Sequence, residues 1–170
     1  MRIAWDLDGV LRDLYGYLNH KLGIPYQKDW FWKYQGKDIF DWIEQDNFLP
    51  LIYAPTTDYY WIVKHCFDKP EIWTCQPELW KPKTEIWIKH HFEDCEVHYL
   101  STEEKRQKLD DNPDMWLVED SPNFSHWDRI LLIDTPHNRH IKEVDRIHTI
   151  GELDEWILKK LDTHTVKAEV

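Results

Sequence analysis

Five short, β-rich apolar runs recur along the chain, each closing on a polar or turn residue: Ile3–Leu7, Glu71–Cys75, Glu96–Leu100, Met115–Val118 and Arg129–Ile133. Between the second and third, Thr84–Phe92 places Ile86, Trp87, Ile88 and Phe92 on one face of a predicted helix. Strands separated by helices imply right-handed crossovers and a mostly parallel sheet, hence an α/β fold. The chain closes on a further helix. Thr149-Ile-Gly-Glu152 is a capping-box pattern, and Leu153, Trp156, Ile157 and Leu161 then line one helical face.

The stretch 14–70 breaks this rhythm. It carries Trp30, Phe31, Trp32, Tyr34, Trp42, Tyr53, Tyr59, Tyr60 and Trp61, with Pro25, Pro50 and Pro55 as punctuation. Its patterning is helical in patches, as at Ile39, Trp42 and Ile43, so a small helical insertion is expected directly after the first strand. The expected layout is a core of residues 1–13 and 71–161, an insertion of 14–70, and a frayed tail of 162–170 that lacks an apolar face. At 170 residues one core suffices for stability without disulfides or a structural metal.

Chemistry concentrates where the first strand ends, in Asp6-Leu-Asp8-Gly9. The carboxyl ends of parallel strands are where such sheets bind ligands, and residues two apart on an extended segment point the same way. Asp6 and Asp8 are therefore expected side by side in the crevice, unsatisfied unless a cation joins them, with Gly9 turning the chain away. Two crowded carboxylates suit a hard cation such as Mg²⁺, and they divide readily into a nucleophile and an acid/base. The fourth run ends in Glu119-Asp120-Ser121-Pro122, and two acids closing a buried strand are costly unless a cation waits there. Asp120 is thus the expected third metal ligand. Thr74, at the end of the second run, is placed to donate to a phosphoryl oxygen. Lys105 follows the third run most closely, at a helix start, and can balance phosphoryl charge among the carboxylates, with Arg106 and Lys108 competing for the role.

Asp-x-Asp-Gly-Val, then a strand-end Thr, a Lys and Glu-Asp occur in the order that resembles the haloacid dehalogenase superfamily. The finer texture is similar to its 5′(3′)-deoxyribonucleotidase branch. The segments that carry this likeness are Asp8-Gly-Val-Leu-Arg-Asp13, Thr74-Cys-Gln-Pro77, Lys83–Trp87, Val118-Glu-Asp-Ser-Pro122, Ile133-Asp-Thr-Pro-His-Asn138 and the closing Arg146–Leu153. The resemblance implies a Rossmann-like core with a helical cap after the first strand. It implies that Asp6 forms an aspartyl-phosphate, with Asp8 as acid and then base. Mg²⁺ would be held by Asp6, the Asp8 carbonyl, Asp120 and Glu119, and phosphate bound by Thr74, Cys75, Lys105 and Lys83 (or Lys81). Arg12 departs from the family, standing where a small residue is usual.

The implied reaction is hydrolysis of (deoxy)ribonucleoside monophosphates, with Trp30, Trp32 and Tyr34 of the cap, or Phe31 beside them, stacking on the base. The alternatives are a sugar phosphate or other small phosphate ester, and a non-catalytic relative that binds nucleotides or a protein. A homodimer is compatible with this reading. The net charge of −11 argues against a long nucleic acid as partner. Cys66, Cys75 and Cys95 lack the spacing of a disulfide framework or a thiolate zinc site, and the ten histidines show no ligand spacing. No apolar run reaches membrane-spanning length, and no signal peptide is read at the N-terminus, so a cytoplasmic setting is expected.

Overall fold

The computed structural model describes residues 1–30 and 32–165, with side chains to residue 160; Phe31 and the end of the expected tail, 166–170, lie outside the described residues. Six strands form one parallel sheet: β1 (Arg2–Trp5), β2 (Glu71–Thr74), β3 (Glu96–Tyr99), β4 (Met115–Glu119), β5 (Ile130–Ile133) and β6 (Arg146–Ile147). Their order is β3-β2-β1-β4-β5-β6, a Rossmann-like arrangement. The helices are α1 (Leu14–Leu22), α2 (Ile39–Gln45), α3 (Pro50–Tyr53), α4 (Tyr59–Cys66), α5 (Lys81–His91), α6 (Thr102–Asp111) and α7 (Ile150–Thr165).

Alternation along each strand divides the apolar residues between two layers. Ile3, Trp5, Ile72, Val118, Leu131 and Ile133 face α4, α5 and α7, where they meet Val63, Trp87, Ile88, Leu153 and Ile157. Ala4, Trp73, Leu117, Ile130 and Leu132 face the other way, onto Leu109 of α6 and Phe124. Helix α5 begins earlier than the apolar pattern suggested, because Pro82 sits at its N-terminus, where a missing N–H costs nothing. Its buried residues are Thr84, Trp87 and Ile88, and Ile86 turns out to solvent. The inward stripe follows the helical period, and Ile86 is rotated off it. Helix α7 runs through Thr165, so the first residues of the expected frayed tail are helical, since extending a formed helix is far easier than starting one.

The 14–70 insertion contains a third apolar cluster of its own. Leu14 and Leu18 of α1, Ile39 and Ile43 of α2, and Leu51 of α3 pack with Trp32, Ala54 and Trp80. Helix α4 behaves differently, since its Tyr60 and Val63 join the main core against the sheet. The chain leaves and re-enters the core at one place. Asp13 donates its amide to Pro55, Thr57 donates to Leu11, and Arg12 and Thr56 form an antiparallel bridge.

Candidate functional site

The strand order reverses between β1 and β4, and that is where an open α/β sheet opens a crevice at its carboxyl edge. Asp6 continues β1 and donates its amide to the Val118 carbonyl of β4, which sets it beside Glu119. Gly9 follows at φ +90°, and a side chain there would place its Cβ 1.9 Å from Asp120 Oδ2. Glycine is required at this position for both reasons.

Asp6, Glu119 and Asp120 are buried, and a carboxylate oxygen from each lies within 4.8 Å of the others, so the trio can hold a metal ion. Lys105, itself buried in the first turn of α6, donates to Asp6 Oδ1 at 2.7 Å and to Glu119 Oε1 at 2.6 Å. Asp8 is engaged separately. Arg12 Nε meets its Oδ1 at 2.6 Å, Arg12 Nη2 meets its Oδ2 at 3.0 Å, and Gln76 Nε2 donates to Oδ2 at 2.6 Å. Each aspartate at the end of β1 thus meets a cation within the protein, Lys105 for Asp6 and Arg12 for Asp8. The orphan is Asp120, neither of whose carboxylate oxygens accepts a hydrogen bond although the residue is fully buried. His137 Nε2 lies 3.1 Å from its Oδ2. The same nitrogen also lies 2.9 Å from Thr135 Oγ1 and 3.2 Å from the Asp120 carbonyl, so three oxygens share it.

Four carboxylates (Asp6, Asp8, Glu119, Asp120) face only two cations, Lys105 and Arg12, an excess of negative charge that one divalent ion would cancel. The titration of these groups reflects the crowding. Burial, and then Glu119, raise Asp6 above the ordinary carboxylate range despite Lys105. Burial raises Glu119 as well. Asp120 is pushed up to about 6, first by burial, with Asp6 and Asp8 adding to it and His137 pulling it down. Burial works against charge on Lys105, but Asp6 and Glu119 outweigh it and hold the ammonium well above its usual value. A bound cation reverses the sense of the carboxylate shifts.

A cavity of about 340 Å³ opens onto this centre, with Asp6, Asp8, Thr74, Cys75, Lys105 and Glu119 in its floor. Packing around the sulfur, with Asp6 and Glu119 nearby, pushes the Cys75 thiol up to about 11, although Lys105 draws it down. The walls are aromatic. Tyr15 and Trp30 come from one side of the insertion, Phe40 from α2, and Trp80 from the 3-10 turn before α5, with Lys33 and Asp38 beside them.

Trp30 is the one stacking candidate that reaches the cavity among the described residues. Trp32 is buried in the insertion's own core, and Tyr34 packs on Trp42 with ring centroids 6.1 Å apart. A small helical unit needs those rings for its interior before it can spend them on a ligand. Lys83 does not line the cavity, and Lys81 turns away to place its ammonium 4.7 Å from the Tyr99 ring centroid. The inward position on that turn of α5 is taken by Thr84, about 100° around the helix from Lys83.

Two contributions were invisible in the sequence. His137 sits among Tyr15, Tyr26 and Trp30, with ring centroids 5.6, 6.2 and 4.7 Å away, and so joins the insertion to Asp120. Asn138 donates to the carbonyls of Asp120 and Ile133, each at 2.8 Å, fixing the turn that presents Asp120. The one available signal was the segment Ile133–Asn138, which drew notice only as part of a family likeness.

Comparison with protein-family models yields no match, and comparison with curated proteins likewise finds none. Among the described residues no helix is long and apolar enough to cross a membrane.

Proposed function

We propose that the protein is a Mg²⁺-dependent phosphohydrolase of the haloacid dehalogenase type, working on a small phosphorylated molecule. The observation that carries this reading is the buried Asp120 carboxylate, met only by the His137 ring, beside Asp6 and Glu119 at the strand-order reversal, where Asp6 and Glu119 line a cavity. A hard cation with oxygen ligands fits that donor set, and when bound it would neutralise phosphoryl charge.

The protein's own groups then have distinct tasks. An Asp6 oxygen attacks phosphorus, and the bond from phosphorus to the leaving oxygen breaks while Asp8 delivers a proton to that oxygen. Water next attacks the aspartyl-phosphate, Asp8 takes its proton, and the bond from phosphorus to Asp6 breaks to free phosphate. Lys105 steadies Asp6 as its charge changes, and Thr74 lies where it can donate to a phosphoryl oxygen.

The aromatic walls favour a planar organic group, so a (deoxy)ribonucleoside monophosphate is the first substrate reading, with its base against Trp30 and Phe40. The polar groups Lys33, Asp38 and Asn123 around the same cavity support a sugar phosphate as the second. A purely binding role is disfavoured, because it gives no reason to assemble Asp6, Asp8, Lys105 and Asp120 at one point.

The test is phosphate release from a panel of nucleoside monophosphates and sugar phosphates, with and without Mg²⁺, using Asp6→Asn as control. Release that needs Mg²⁺ and falls by orders of magnitude in Asp6→Asn is expected, since the covalent route is lost. Activity that survives Asp6→Asn would sink the mechanism. Release confined to sugar phosphates would decide for the second substrate reading.

A further inference from the structure

Behind Asp8, away from the cavity, lies a closed ring of polar side chains. Arg12 has no exposed surface. Its Nη1 donates to the Leu51 carbonyl of α3 at 2.7 Å and lies 3.3 Å from Thr84 Oγ1 of α5. Nη2 also lies 3.3 Å from Thr84 Oγ1, while Nε and Nη2 grip both oxygens of Asp8. Thr84 donates to Gln76 Oε1 at 2.8 Å, and Gln76 Nε2 returns to Asp8 Oδ2 at 2.6 Å. The Arg12 guanidinium carbon stands 5.5 Å from the centroid of the Trp87 ring. Of the ring's members only Asp8 borders the cavity.

We infer that Arg12 is a positioning residue: its two-point grip fixes the plane of the Asp8 carboxylate and aims it at the reacting oxygen. This rests on the reading of Asp6 and Asp8 above and adds a residue that never meets substrate. A guanidinium fork holds a carboxylate in one plane, whereas a single ammonium contact leaves it free to swivel. Proton transfer requires hydrogen-bond reach in the right direction, and a misplacement of about 1 Å costs on the order of 100-fold in rate. The Leu51 contact adds that the carboxylate is registered to α3 of the insertion as well as to the sheet.

The experiment compares wild type with Arg12→Lys and Thr84→Val in steady-state phosphate release with Mg²⁺. Each variant's thermal midpoint is measured in parallel. In Arg12→Lys, kcat is expected to fall about 10- to 100-fold, with KM changed less than about threefold, as for loss of orientation rather than of binding. Thr84→Val, which removes a support of the guanidinium and leaves the Asp8 grip, is expected to lose about three- to tenfold in kcat. Added guanidinium ion is expected to restore part of the rate in a folded Arg12→Ala, which a merely structural role would not do. A folded Arg12→Lys with unchanged kcat overturns the inference while leaving the phosphohydrolase reading intact. Loss that tracks the thermal midpoint, without guanidinium rescue, reduces Arg12 to a structural staple and also overturns it. A wild type inactive on every phosphate in the panel overturns both readings together.

Discussion

Gly9 and Asp120 are 111 positions apart in the chain and occupy almost the same space. A methyl group at Gly9 would strike the Asp120 carboxylate, and the positive φ strains any other residue by about 1–3 kcal/mol. Gly9→Ala is therefore expected to lower the thermal midpoint and to abolish any further rise on adding Mg²⁺; a variant that still responds to Mg²⁺ as wild type does would contradict this placement. A second residue-scale expectation concerns Glu71, at the opposite end of the sheet. Burial alone would raise its carboxyl, but the Trp73 indole N–H, Lys108 and Arg2 outweigh burial and hold it below its ordinary 4.5. A depressed folded value means stabilisation that is complete above the unfolded value and fades as pH falls through the folded one. Wild type is expected to lose stability below about pH 4.5 more steeply than Glu71→Gln, by urea titration at a series of pH values. Parallel curves would show that the Glu71 contacts contribute nothing.

The elements that were legible in the sequence are those whose pattern is local. Each of the five predicted strands appears within one or two residues of its apolar run; the inner strands are apolar because the sheet is covered on both faces, whereas edge strand β3 keeps Glu96 and His98. The two-residue β6 had no run of its own to betray it and entered only within the closing segment of the family likeness. Within the insertion the limits are instructive. Trp30 and Trp32 are equivalent by composition, yet one lines the cavity and the other fills the cluster under α1 and α2. Periodicity could not separate them because neither lies in a regular element. The difference predicts opposite phenotypes. Trp32→Ala is expected to cost about 3–5 kcal/mol of stability, measured by denaturant unfolding. Trp30→Ala is expected to spare stability and raise KM for an aromatic phosphate. The reverse pattern would mean that the two rings exchange roles. Gln76, His137 and Asn138 were beyond reach for a different reason, since their partners at the site lie 17 to 68 positions away and no spacing rule connects them.

Taken whole, the molecule buries Asp6, Glu119 and Asp120 together at the carboxyl edge of its sheet. A net charge of −11 makes the surroundings no kinder to four clustered carboxylates. The folded state should therefore gain by binding a divalent ion. At 100 times the dissociation constant, a ligand specific for the folded state contributes about 2.7 kcal/mol. Mg²⁺ is accordingly expected to raise the thermal midpoint of wild type, and Asp120→Asn to flatten that response. A midpoint indifferent to Mg²⁺ in wild type would refute the cation site independently of any activity measurement.

The antiparallel bridge between Arg12 and Thr56 has an architectural consequence. Everything that shapes the aromatic walls from Leu14 to Ala54 hangs from one doorway, while the carboxylate floor is supplied by strands that never pass through it. Such a plan lets the roof of the cavity be rebuilt, lengthened or exchanged without re-threading the sheet. Its roof is nonetheless tied to the floor at three further points, Leu51 to Arg12, Trp30 to His137 and Ala54 to Trp87, so a replacement would have to keep those contacts.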